Sequence, residues 1–196
     1  MLWYSKQPMS DRTLLPILLL YANSRERIDG VTRFQKLVFL AQQEGGLSST
    51  YAFHAEQFGP FSYDLASEID YYVTQGYIER DPVPNEVGNE KEIYSLTTEG
   101  IKVAKSAVTK DVYKPIMGIL SETKTEHNKT PLQELLRYVY RKYDEYATAT
   151  ELDTERLFDP DARSQFLELD DESDYVGPSP EEAVEMNSSA EDVFSI

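Results

Sequence analysis

A mainly helical α+β fold with one small β-hairpin is predicted for this chain, and three observations predict it. Six stretches within the first 146 residues repeat apolar side chains at helical spacing. Two strand-like stretches flank a segment dense in turn formers, Asp81 to Asn89. Beyond residue 150 apolar side chains become sparse and acidic ones crowd together, so that part cannot offset its ordering entropy by burial.

The first helix is expected over Leu14 to Ala22, where Leu14, Ile17, Leu18 and Tyr21 share one face and Pro16 sits in the tolerant first turn. Following Lys6 and Arg12, this run mimics the apolar region of a signal peptide. It is far shorter than the roughly 20 residues a bilayer span requires. Asp11 and the lack of a small-x-small cleavage site argue against secretion, so the chain is read as cytoplasmic. A second helix is expected from Val31 to Glu44, with Phe34, Leu37, Val38 and Ala41 on one stripe and Gly45-Gly46 at its end. Tyr51 to Phe58 reads as one short strand, broken by Gly59-Pro60. Ser62 then caps a third helix running to about Gln75, with Leu65, Ile69, Tyr72 and Val73 on its inner side, and Gly76 ends it.

Tyr77-Ile78-Glu79-Arg80 begins a strand that the turn-rich segment links to Glu92-Ile93-Tyr94-Ser95-Leu96, giving a hairpin with a long polar tip. Thr97 or Thr98 caps a helix through Val108. Two further helices are expected at about Val112 to Glu126 and Thr130 to Tyr146. For the last, Thr130 is read as N-cap, Pro131 as first residue and Gln133 as the partner in a capping box. Its apolar positions are Leu132, Leu135, Leu136, Val139, Tyr140 and Tyr143.

Helix, helix, short strand, helix, hairpin is the order of a winged helix-turn-helix domain. The predicted organisation is therefore such a domain over residues 1–108, a C-terminal helical extension over 109–150, and an acidic flexible tail over 151–196. Three segments also carry a family resemblance. Arg33-Phe34-Gln35-Lys36-Leu37-Val38-Phe39-Leu40-Ala41, then Phe58-Gly59-Pro60-Phe61-Ser62, then Gly76-Tyr77-Ile78 resemble the YwgA-like winged-helix proteins and the Panacea (SocA-like) antitoxin domain. Tyr94-Ser95-Leu96-Thr97-Thr98-Glu99-Gly100 is similar to the ending of many winged-helix wings. The likeness spans roughly residues 12 to 108. It implies a regulator, either a DNA-binding repressor or a toxin-neutralising partner. It assigns no catalytic residue and marks Leu37, Gly59, Pro60, Ser62 and Gly76 as structural.

The chain holds 35 acidic and 19 basic side chains, a formal net charge of −16. From Glu151 to Ile196 there are 15 acidic and 2 basic residues, which leaves 20 and 17 for the first 150. The tail is read as a solvating arm or an adaptation to high salt, with an interaction arm or nucleic-acid mimic as the alternative. Two apolar islands within it, Phe158 to Leu169 and Val193 to Ile196, are candidate docking segments. The absence of cysteine excludes disulfides, thiolate zinc sites, iron–sulfur clusters and thiol nucleophiles. Only His54 and His127 supply imidazoles. His54-Ala55-Glu56 matches the start of a zinc deaminase motif whose cysteine half cannot exist here. His54 is instead expected on a half-buried strand with its ring hydrogen-bonded. No EF-hand spacing, glycine-rich phosphate loop or Gly-x-Ser-x-Gly occurs. The chain is read as non-enzymatic, without catalytic residues, cofactor or metal.

The charge of the expected reading surfaces decides between partners. The third helix contains Asp64, Glu68 and Asp70 and no cation. The wing sets Glu79, Asp81, Glu86, Glu90 and Glu92 against Arg80 and Lys91. Both would repel phosphate. The candidate contact residues are basic ones elsewhere: Arg25, Arg27, Arg33 and Lys36 near the second helix, and Lys102 and Lys105, with Lys110 and Lys114, after the wing. Tyr138, Arg141, Lys142 and Tyr143 resemble an aromatic-basic stripe but are read as a packing or dimer face, because Tyr140 and Tyr143 continue the apolar period. The expected function is thus a winged-helix regulatory protein that works by binding a protein partner, antitoxin-like or adaptor-like, the partner being a toxin or another basic protein. A transcriptional regulator of double-stranded DNA is the alternative. No membrane role is expected, and self-association as a homodimer is a further expectation.

Overall fold

The computed structural model describes residues 13–84 and 90–147. The acidic tail, its two apolar islands and the tip of the hairpin lie outside the described residues.

Helix α1, Leu15–Arg25, begins on Pro16 in its first turn. Leu15, Pro16, Ile17, Leu18, Leu19 and Leu20 are all buried, whereas Leu14 and Tyr21 are only half-buried. The expected single apolar face is therefore corrected to a helix buried over most of its circumference, with Tyr21 left at the surface. The reason is its place in the fold, with α3, α4, α5 and β5 packed around it. Regular helix ends at Ala22, and the next three residues, Asn23, Ser24 and Arg25, take left-handed φ values of 53°, 60° and 67°.

A two-residue strand β1, Ile28–Asp29, precedes helix α2, Val31–Gln43. No periodicity can announce so short a strand, and sequence reasoning missed it. It pairs antiparallel with β5, Ile28 opposite Tyr94 and Asp29 opposite Ile93. Helix α2 runs through the middle of the molecule. Phe34, Leu37, Val38 and Ala41 are fully buried as expected, and so are the polar residues Gln35 and Lys36.

The single strand expected over Tyr51 to Phe58 is corrected to a hairpin of β2, His54–Glu56, and β3, Gly59–Phe61. Gly59 and Pro60, read as a break, lie within β3 opposite Glu56 and Ala55. Ser62 then caps α3, Tyr63–Thr74, its hydroxyl accepting from the Leu65 amide at 3.3 Å. Leu65, Ile69 and Tyr72 bury the inner side of α3.

Strands β4, Ile78–Pro84, and β5, Glu90–Leu96, form the expected hairpin, but the pairing reaches further than the turn formers suggested. Pro82 and Pro84 belong to β4, opposite Glu92 and Glu90. The sheet order is β1-β5-β4, so β4 is an edge, where proline costs no ladder bond on the open side. Thr97 caps α4, Thr98–Val108, accepting from the Gly100 amide at 3.1 Å and donating to the Gly76 carbonyl at 2.7 Å.

Helices α5, Tyr113–His127, and α6, Leu132–Lys142, complete the fold, followed by a 3₁₀ turn over Asp144–Ala147. Leu120 of α5 joins the core formed by α1, α2 and α3. The capping box expected for α6 is not formed. Pro131 occupies the cap position, and the Thr130 hydroxyl donates back to the Glu126 carbonyl at 3.1 Å, closing the end of α5 instead. The helix stops at Lys142 rather than Tyr146. Tyr143 and Tyr146 turn edge-on against Phe39, with ring centroids 4.9 and 5.0 Å away, and this packing outweighs continued helix.

Candidate partner interface

The polar residues of α2 act as staples. Gln35 donates to the Ser62 carbonyl at 3.0 Å and accepts from the Ser62 amide at 2.9 Å. Lys36, 1% exposed, donates to the Pro60 carbonyl at 3.0 Å. Gln42 holds Tyr51 in the same two-sided way, at 3.0 Å for each bond. Arg33, 9% exposed, reaches the carbonyls of His127 at 3.1 Å and Thr130 at 2.7 Å. Buried main-chain groups outside helices and sheets need such partners, and one central helix supplies many of them. Arg33 and Lys36 were candidate partner-contact residues. Their burial removes them from any surface, and they serve the interior.

Of the residues marked as structural, Pro60 and Ser62 lie where these staples land. Leu37 is fully buried among the core side chains. Pro60 and Ser62 receive Lys36 and Gln35. Gly59 has φ +84°, and a Cβ there would sit 2.8 Å from Cε1 of Tyr140 on α6. Gly76 has φ +74° and ends α3, with the Tyr77 amide donating to the Tyr72 carbonyl at 2.9 Å.

Two further buried networks escaped sequence reasoning. Lys124 on α5 is 1% exposed and donates to the carbonyls of Leu19 at 3.0 Å, Leu20 at 3.3 Å and Ala22 at 3.3 Å, and also to that of Glu26. Its ammonium closes the C-terminal end of α1, where helix carbonyls lack partners and a positive charge is favoured. Burial pushes its pKa down to about 8, with Glu26 acting in the opposite sense. Asn23 adds bonds to the Ser121 carbonyl at 3.2 Å and the Thr125 hydroxyl at 2.9 Å. On α3, Glu68 is buried and accepts from the Thr13 amide at 2.8 Å and from the Tyr51 hydroxyl, while Tyr72 donates to the Thr13 carbonyl at 2.6 Å. Burial, reinforced by the Glu68 carboxylate, raises the Tyr51 pKa well above its usual value. Glu68 is thus removed from the acidic face it was assigned to.

The rest of that face stands exposed. Asp64 and Asp70 on α3 and Glu79, Asp81 and Glu90 on the strands are exposed, with Glu92 half-buried. Arg80 is bridged to Asp70 at 2.8 Å and to Glu92 at 3.5 Å. Lys91 is bridged to Asp29 at 3.4 Å. Both cations of the strand pair are thereby held by carboxylates.

The remaining candidate cations divide. Arg27 faces Asp29 at 3.7 Å, Lys102 faces Glu99 at 2.6 Å, and Lys114 faces Asp111 at 2.6 Å, all at exposed positions. Arg25 and Lys105, distant in sequence, line one surface cavity with Tyr21 and Ser24. On α6, the hydroxyls of Tyr138 and Tyr143 donate to Glu44 and Lys142 bridges it at 3.1 Å. Burial alone would raise the Glu44 pKa, but these three donors hold it below the usual carboxylate range. His54 is exposed rather than half-buried, beside the Tyr63 ring at 6.2 Å. Among the described residues no three acidic or histidine side chains gather as a metal site, and no helix is long and apolar enough to cross a membrane. No protein-family model matches the chain, and no curated protein matches it.

Proposed function

We propose that this chain is a winged helix-turn-helix regulatory protein that binds a basic protein partner through α3 and the β4–β5 strands. The order α1, β1, α2, α3, β4, β5, interrupted between α2 and α3 by the β2–β3 hairpin, with a β1-β5-β4 sheet, supports the winged-helix reading. The mutual fastening of Arg33–Ala41 to Gly59-Pro60-Phe61-Ser62 supports the resemblance to YwgA-like and Panacea proteins, because the two motifs hold each other in place. That resemblance makes an antitoxin-like or adaptor-like role the preferred one.

One observation carries the partner class. The exposed face of α3 and its neighbouring strands is acidic, and Arg80 and Lys91 are already engaged by carboxylates. DNA affinity rests on cations that neutralise phosphates and release counterions, and this face offers carboxylates instead. A basic protein surface meets it with complementary charge.

The test is capture from lysate with and without nuclease at matched salt, using the full chain, a truncation at Glu151, and a triple variant Asp64→Lys, Asp70→Lys, Asp81→Lys. The expected result is one stoichiometric protein of basic pI held by the full chain and lost by the triple variant. Recovery of duplex DNA alone, removed by nuclease, would replace this reading with the alternative of a DNA-binding transcriptional regulator.

A further inference from the structure

We propose that the cleft lined by Tyr21, Ser24, Arg25 and Lys105 is a binding site for a small phosphate monoester. The cleft encloses about 290 Å³ between the end of α1 and the exposed side of α4, at the lower edge of the roughly 300–1,000 Å³ typical of small-molecule sites. That size suits a phosphate bearing a short organic group. The four lining side chains are a phenol, a hydroxyl, a guanidinium and an ammonium. Each carries a donor and none is a carboxylate, which is the donor set of an oxyanion site.

Most cations among the described residues are already engaged. Among the described residues Arg27, Arg80, Lys91, Lys102, Lys114, Lys129 and Lys142 each have a carboxylate within ion-pair distance. Arg33, Lys36 and Lys124 are buried against carbonyls. Arg25 and Lys105 have no carboxylate at that distance among the described residues, and neither has Lys110, but only Arg25 and Lys105 share a cleft. Two cations lining one cleft repel each other, and an anion held by both offsets that repulsion.

The backbone also departs from its easy path here. Three successive non-glycine residues, Asn23, Ser24 and Arg25, have left-handed φ values, a region that is sterically disfavoured for L-residues. Lys124 and Asn23 hold the turn from α5. Its effect is to carry Ser24 and Arg25 out of the helical path and into the cleft wall beside Lys105. Backbone strain of this kind concentrates at ligand sites.

The experiment titrates the full chain with inorganic phosphate and with glycerol 3-phosphate at fixed ionic strength, followed by phosphorus NMR and calorimetry, with a mixed-sequence DNA duplex as a separate arm. The expected result is saturable binding of one phosphomonoester per chain. Arg25→Gln and Lys105→Gln should each weaken it about tenfold or more, as loss of one charge-assisted hydrogen bond does, while Lys105→Arg retains it. Lys110→Gln, which removes one exposed charge outside the cleft, should leave the affinity within twofold. All these side chains are exposed, so melting curves should remain those of the wild type. Absence of saturable binding overturns the proposal, as does equal weakening by Lys110→Gln. Binding of the duplex without binding of either small phosphate also overturns it.

Discussion

Replacing Lys124 with methionine tests whether one buried ammonium holds the end of α1. Lys124→Met keeps most of the side-chain volume and removes the donors that serve Leu19, Leu20, Ala22 and Glu26. A buried acceptor left without its partner costs about 1–3 kcal/mol. Three of these bonds are fully buried, so the loss amounts to about 3–9 kcal/mol. Against it stands the cost of burying the charge. A native pKa of about 8, against 10.5 for a free lysine, corresponds to roughly 3 kcal/mol, at about 1.4 kcal/mol per pH unit. The expected net destabilisation at pH 7 is therefore about 3 kcal/mol, read by urea unfolding followed by far-ultraviolet circular dichroism. The same pKa gives a second signature. Because it is depressed in the native state, the unfolded chain holds more protons between pH 8 and 10.5, and stability contributed by this group rises with pH across that window. The advantage of wild type over Lys124→Met should widen by about 2 kcal/mol from pH 8 to pH 9.5. A variant within about 0.5 kcal/mol of wild type at pH 7, or a difference flat with pH, would refute the role assigned to this lysine.

Two further substitutions probe the motif and the acidic network. Gly59→Ala places a Cβ 2.8 Å from Tyr140 at φ +84°, whereas Gly76→Ala meets nothing within 4 Å at φ +74°. Thermal denaturation should find the second costing about 1 kcal/mol and the first about 2–4 kcal/mol, since only Gly59 adds a clash to the backbone term. Tyr51→Phe removes a donor from the buried Glu68 carboxylate and should cost about 1–3 kcal/mol. The raised native pKa of Tyr51 means that its stabilisation is present below pH 10 and lost as pH rises beyond, so urea titrations of the variant should lack that part of the alkaline decline.

What the residue pattern revealed, and what it hid, follows from the range of the interactions. Ser62 and Thr97 were legible as caps because a cap acts within three residues, and both do so here. Thr130 carries the same local signature, yet its hydroxyl serves the preceding helix, a choice made by how α5 and α6 join. The expected amphipathic face of α1 failed for a related reason. Four elements surround that helix, and a leucine-rich run does not disclose how many neighbours it will have. The candidate site was legible as charge on α3 and the β4–β5 strands, since neither surface needs tertiary contacts to be acidic. The fate of Arg33, Lys36, Glu68 and Lys124 was not. A charged residue inside a helix looks solvated until the carbonyl or hydroxyl that receives it is placed, and those partners lie 17 to 105 positions away.

This use of cations bears on the partner. The first 150 residues are nearly balanced, with 20 acidic and 17 basic side chains, which by count alone would permit a nucleic-acid surface. Counterion release, however, counts only cations that can reach a phosphate. Arg33, Lys36 and Lys124 are spent on main-chain carbonyls in the interior, Arg80 on Asp70 of α3 and Glu92 of β5, and Lys91 on Asp29 of β1. The carboxylates Asp64, Glu79, Asp81 and Glu90 remain at the surface. The balance in composition therefore becomes an imbalance in space: the cations of α2 and α5 are used inside the fold, while α3 and the β4–β5 strands present carboxylates at the surface. This distribution is what supports the proposed reading, in which the partner brings the positive charge itself.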